Sequence, residues 1–283
     1  MSLADAGRPP LPEPLAVPVA DSHCHLDMGL GEDPAMPVEQ ALSHGAASGV
    51  PRIVQIGCDL VGARWAVDVA NRYDEIVAGV SLHPNEAPRL VHDGDRTALD
   101  EALAEIDRLA ADPRVRAVGE TGLDYFRTGE DGRAVQHESF RAHIELAKRH
   151  GKALVIHDRD AHDDVLAVLA DQGAPDRVVL HCFSGDVEMA RECARRGYWL
   201  SFAGTVTFKN ATELRNALAV TPPERLLVET DAPFLTPMPY RGRPNASYLI
   251  PHTLRAMAQV KDLPVDTLSA AIATNSDQAF DPW

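Results

Sequence analysis

Eight short apolar or β-branched runs punctuate the 283-residue chain, at residues 15–20, 52–58, 76–82, 115–119, 153–156, 177–180, 198–202 and 225–228. Between them lie stretches of helical periodicity, such as "VQHESFRAHIELAKRH" at 135–150, with Phe140, Ile144 and Ala147 on one side, and residues 187–196. A strand that reads as one continuous apolar run is covered on both faces, as happens when parallel strands alternate with helices. Repeated eight times over about 250 residues, the pattern predicts an α/β fold of the closed (β/α)8, or TIM, barrel type. An open doubly wound sheet is the alternative, and the absence of a G-x-G-x-x-G fingerprint counts against it. The barrel is expected as a single domain over 15–283, after a flexible Pro-rich arm over 1–14 that carries Pro9, Pro10, Pro12 and Pro14.

The polar residues at the exits of these runs are more informative than the runs themselves. "DSHCHLD" ends the first, "SLHPNEA" the third, "GETGLDY" the fourth, "IHDRDA" the fifth, "LHCFSG" the sixth and "ETDAPFL" the eighth. In a parallel barrel these exits share one end, where the connecting loops build active sites. His23 and His25 project to the same side of an extended chain, about 7 Å apart. They are expected to join Glu120, His157, His181 and Asp231 in one barrel mouth. Six ionisable groups in such a space are costly to desolvate without countercharge, which divalent cations supply.

Four histidines and two carboxylates exceed what one catalytic metal takes while keeping an open position, so two ions are expected. The assignment gives His23, His25 and Asp231 to one ion and His157 with His181 to the other, with Glu120 bridging. Glu120 and Asp231 are thereby the expected catalytic carboxylates. Two ions near 3.5 to 4 Å apart activate water and stabilise both oxygens of an in-line displacement, which is hydrolytic chemistry. Mixed imidazole and carboxylate donors favour Zn2+, Mn2+ or Co2+ over Mg2+.

Taken in order, "SHCHLD", "GETGLDY", "IHDRDA", "HCFSG" and "ETDAPFL" resemble the TatD-type metal-dependent deoxyribonucleases of the amidohydrolase superfamily, over most of the chain. The resemblance implies a TIM barrel, a divalent metal cofactor that includes Mg2+ among the candidates, and hydrolysis of DNA phosphodiesters, often as a 3′ exonuclease. It also implies that His83 faces a substrate phosphate. Two segments depart from the family pattern: "YRGRPNASYL" has Ala246 and Ser247 where Glu-Pro is usual, and "ATNSDQAFDPW" keeps Asn275 without the Arg-Leu-Phe usual after it.

Arg159 and Arg241 are the further candidates for substrate phosphate, with Lys209 and Arg243 on the loops near Arg241. Glu229 is expected to orient ligands rather than to ligate, and Cys24 and Cys182 to point into packing. A formal net charge of -15 with four lysines excludes a protein that wraps duplex DNA by phosphate neutralisation. The expected activity is 3′ to 5′ exodeoxyribonuclease action on single-stranded ends, with RNA as a second polymer; the alternative is an amidohydrolase or small phosphoesterase of the same fold. No apolar stretch lies behind a basic start and no C-x-x-C pair occurs among Cys24, Cys58, Cys182 and Cys193. A cytoplasmic monomer with no membrane partner is expected.

Overall fold

The computed structural model describes residues 7–91 and 95–283. Eight parallel strands lie in one sheet in chain order, the (β/α)8 barrel architecture expected from the sequence. No helix among the described residues is long and apolar enough to cross a membrane. The chain divides into two compact units, one formed by Met1–Gln55 with Gly185–Trp283 and the other by Ile56–Ser184.

The contiguous unit holds β3 (Ile76–Val80), β4 (Val115–Asp124), β5 (Ala153–Arg159) and β6 (Val178–Leu180), with helices α2 (Leu60–Arg72), α3 (Thr97–Ala110), α4 (Glu130–His150) and α5 (His162–Gln172). Helix α4 shows why a sequence of this kind becomes a helix. Glu130 and Asp131 in its first turn and Lys148, Arg149 and His150 in its last complement the helix dipole. Gly151 closes it in the left-handed conformation, at φ 59°. Its apolar stripe buries Phe140, Ile144 and Ala147, as the periodicity predicts.

The same face buries His143 completely. Its Nε2 accepts from the Leu82 amide at 3.0 Å and its Nδ1 donates to the Ser139 carbonyl at 2.7 Å, so one neutral tautomer is locked in place. Burial, partly opposed by the bond to Ser139, lowers the His143 pKa from 6.5 to about 4. The unfolded chain therefore takes up a proton that the folded chain refuses. This contribution to stability is complete above about pH 6.5 and is lost as pH falls to about 4, on the order of 3 kcal/mol in all. Urea midpoints measured between pH 7 and 4 should fall more steeply for the wild type than for His143→Gln; parallel curves would remove His143 as the cause.

The discontinuous unit holds β1 (Ala20–Cys24), most of β2 (Arg52–Gly57), β7 (Trp199–Phe202) and β8 (Leu226–Val228), with α1 (Val38–Ala47), α6 (Val187–Arg195), α7 (Thr212–Val220), α8 (Ile250–Lys261) and α9 (Val265–Phe280). Its first strand is displaced from the expected 15–20. Pro18 offers no amide to a ladder, so pairing starts only at Ala20. Asn275 on α9 donates to the Pro223 and Leu226 carbonyls at 2.8 Å each, tying that helix to the start of β8. Residues 1–6 of the expected arm lie outside the described residues. From Arg8 onward the arm is held down: Arg8 is buried and donates to the Pro34 carbonyl at 3.0 Å, and the Tyr248 hydroxyl donates to the Pro9 carbonyl at 2.7 Å.

Candidate metal-binding clusters

In the discontinuous unit the ligand candidates of β1 and of the β8 exit are interleaved by backbone pairing. Asp231 N donates to the His23 carbonyl at 2.9 Å and His25 N to the Ala232 carbonyl at 2.8 Å, with Cys24 and Ala232 bridged in parallel. Asp231 thus arrives between the two histidines. Its Oδ1 lies 3.3 Å from His25 Nε2 and 3.8 Å from His23 Nε2. The strand is bulged at this point: Asp21 pairs with Ile53 and Cys24 with Gln55, so β1 carries one residue more than β2 across Ser22 and His23. Asp231 itself sits at φ 54°, a left-handed backbone that Asp tolerates better than most residues.

Asp21, two residues before His23, fixes this meeting. Its Oδ1 accepts from the His23 amide at 3.3 Å and the Thr230 amide at 3.0 Å. Its Oδ2 accepts from the hydroxyls of Thr230 at 2.6 Å and Ser247 at 2.7 Å. Complete burial raises its pKa to about 6 in spite of those four donors. Asn245 adds bonds from Nδ2 to the Thr230 carbonyl at 2.9 Å and the Phe234 carbonyl at 2.7 Å. Glu229 is fully buried, with a carboxylate oxygen within 4.8 Å of a His23 ring nitrogen.

In the contiguous unit Glu120 is the hub. Its Oε2 lies 2.7 Å from His181 Nε2, 3.1 Å from His157 Nδ1 and 3.9 Å from His83 Nε2, while its Oε1 accepts from Cys58 Sγ at 3.1 Å. The sequence places Glu120 just past the end of its strand, whereas β4 continues to Asp124 and Glu120 sits inside it. The reason is a second bulge. Val118 pairs with Leu154 and Thr121 with Ile156, leaving Gly119 and Glu120 opposite the single residue Val155. Gly119 takes φ 149°, and a Cβ there would overlap the Val155 carbonyl oxygen, so glycine alone fits the turn that re-aims Glu120.

Asp124 holds the next position. One oxygen, Oδ2, lies 3.3 Å from His157 Nε2 and accepts from Asn85 Nδ2 at 3.0 Å. Asp124 backs the Nε2 side of His157 while Nδ1 faces Glu120, and a proton held at Nε2 would leave the Nδ1 lone pair for a metal ion. Burial opposes protonation of His157, but the carboxylates of Asp124 and Glu120 outweigh it and hold its pKa above the ordinary range. Burial likewise disfavours charge on Glu120, yet the surrounding imidazoles keep its pKa well below that of an ordinary glutamate. Burial pushes His83 down to about 3.

Glu120, His157 and His181 form a set that could hold a divalent cation, and His23, His25 and Asp231 offer the same donor types. In each, buried imidazole nitrogens converge on a carboxylate oxygen, and within the second Glu120, His157 and His181 offer donor atoms lying within 4.8 Å of one another. Asp124, Cys58 and Asp21 were not anticipated as members. For Asp124 a signal existed, since residues 120, 122 and 124 share one face of an extended strand. The guanidinium groups of Arg159 and Arg241 stack over Phe126 at 3.8 Å and over Phe208 at 4.4 Å.

A family model described as TatD related DNase matches residues 20–281. An uncharacterized metal-dependent hydrolase of Mycobacterium tuberculosis, named TatD, is 46% identical over 93% of this chain and 97% of its own length. Another of Bacillus subtilis, YabD, is 36% identical over 92% and 98%. Among solved structures, YJJV, a TatD homolog from Escherichia coli k12, superposes with a TM-score of 0.82 at 27% identity, covering 94% of this chain and 98% of that one. The phosphotriesterase homology protein of Escherichia coli reaches 0.66 at 15% identity over 93% and 99%, a likeness of fold alone.

Proposed function

This chain belongs to the TatD family of metal-dependent hydrolases, and we propose that the bond it hydrolyses is the phosphodiester at a free single-stranded DNA end, taken from the 3′ side. The observation that carries this reading is the donor chemistry of the two clusters: buried imidazole nitrogens facing a carboxylate oxygen at 2.7 to 3.8 Å. Neutral imidazoles and ionised carboxylates are the protonation states that bind divalent metal. His23, His25 and Asp231 would hold one ion and His157 with His181 the other, with Glu120 shared between them. Bound there, the ions supply Lewis acidity, activation of water and countercharge for the phosphate.

The chain's own residues then have distinct tasks. Asp124 keeps His157 in one tautomer, and Asp21 with Thr230 fixes Asp231 beside the two histidines. Glu229, with a carboxylate oxygen within 4.8 Å of a His23 ring nitrogen, is assigned to orient that ring. His83, whose Nδ1 accepts from the Asn85 amide at 3.1 Å, presents Nε2 toward a phosphate oxygen. With 42 acidic residues against 27 basic ones, only the phosphates around the scissile bond are gripped, so a threaded end suits the site better than the middle of a stacked duplex.

The test sets an end-labelled linear single strand beside a circular one of the same composition, with Zn2+, Mn2+, Co2+ or Mg2+. Shortening of the linear strand with the circle intact is the expected result. Equal cleavage of both would show an endonuclease. Cleavage of neither, in a protein loaded with metal, would favour a small phosphoester or an amide as substrate.

A further inference from the structure

Phe126 and Tyr125 are adjacent on the loop leaving β4, and their surroundings differ sharply. Tyr125 is packed under the Arg133 guanidinium at 4.1 Å, and its hydroxyl donates to Asp164 at 2.5 Å. Phe126 is 64% exposed, one of the few large apolar side chains left in solvent among the described residues. The Arg159 guanidinium lies over its ring at 3.8 Å.

This loop is rigidly placed. Asp124 Oδ1 accepts from the Phe126 amide at 3.1 Å and the Arg127 amide at 2.8 Å, and the Tyr125 amide donates to the Arg159 carbonyl at 2.9 Å. The other oxygen of that carboxylate faces His157 Nε2 at 3.3 Å. One side chain therefore sets the position of an exposed aromatic ring and the orientation of a metal-ligand candidate. A phenyl ring backed by a cation and fixed before binding offers a flat surface on which any base can stack, with little ordering cost.

We propose that Phe126, backed by Arg159, is the stacking platform for a nucleobase of the bound strand close to the scissile phosphate. The inference rests on the nuclease reading above. It gives the enzyme grip on a strand through a base face, where an acidic protein has little cationic surface to spend on phosphates. It also makes that grip indifferent to sequence, because every base has a π face.

The test compares the wild type with Phe126→Ala and Phe126→Trp on end-labelled single strands, intact or with an abasic nucleotide at each of the last three positions in turn. Stacking of about 1–3 kcal/mol corresponds to roughly a 5- to 150-fold change, so Phe126→Ala should raise KM by a factor in that range while changing kcat about twofold at most, and Phe126→Trp should restore it. One abasic position should cost the wild type a similar factor and cost Phe126→Ala nothing further. If the wild type shortens no strand, the nuclease reading falls and the platform with it. If the wild type shortens strands and Phe126→Ala has the same KM, the platform alone is overturned, and Phe126 serves another partner or only shields the Arg159 stem. A KM defect that Phe126→Trp fails to restore, or that no abasic position shares, overturns it equally.

Discussion

Glu120→Ala is expected to abolish hydrolysis while leaving a folded barrel. The substitution removes the carboxylate that, among the described residues, faces His157, His181 and His83 together, and Cys58 loses its acceptor. Without that charge His181 loses the carboxylate it faces, and only Asp124, on the other side of His157, remains to draw a cation in. Metal content measured by atomic emission should fall at the second cluster, and at the first as well if Glu120 is shared. Circular dichroism should remain that of the wild type, because Glu120 lies at a bulge rather than in the packed apolar layers. A folded, metal-replete and fully active Glu120→Ala protein would sink the assignment of Glu120 as hub.

Asp21→Ala should instead be felt first as instability. It strands four buried donors at once: the amides of His23 and Thr230 and the hydroxyls of Thr230 and Ser247. Each unsatisfied buried donor costs about 1–3 kcal/mol, and with hydroxyls able to turn toward other acceptors a total of about 3–6 kcal/mol is expected. That is a large share of the stability of a domain. Asp21→Asn, which keeps one good acceptor, should lose less. In whatever fraction remains folded, affinity for the ion of the first cluster should drop, since Thr230 no longer pins Asp231 beside His23 and His25. Thermal melts in chelator separate the two effects from one another. An Asp21→Ala protein as stable as the wild type would show that the network is dispensable.

The legible part of this molecule was the part written in local pattern. Apolar runs located seven of the eight strands, alternation paired His23 with His25, and position at a strand exit put His157 and His181 among the candidates. The illegible part was written in register and in long-range bonds. Glu120, Thr121 and Gly122 interrupt the apolar run of β4, so the strand reads as ending five residues early, and Asp124 drops from view with it. Nothing local announces that Asp21 bonds Thr230, 209 residues away. The Ser247 departure shows the same limit from the other side. Read as a sequence it is a missing proline in a family segment; in the fold it is a hydroxyl donor to a buried carboxylate, which proline cannot be.

The division into a contiguous and a discontinuous unit also sets an order in time. Every member of the Glu120 cluster lies within Ile56–Ser184 and leaves the ribosome in one stretch. His23 and His25 emerge earlier still, yet their carboxylate comes roughly 200 residues behind, a wait of about 10–40 s at ordinary rates of synthesis. The cluster whose histidines are made first is therefore the last to be completed, and it closes only when both ends of the polypeptide have met.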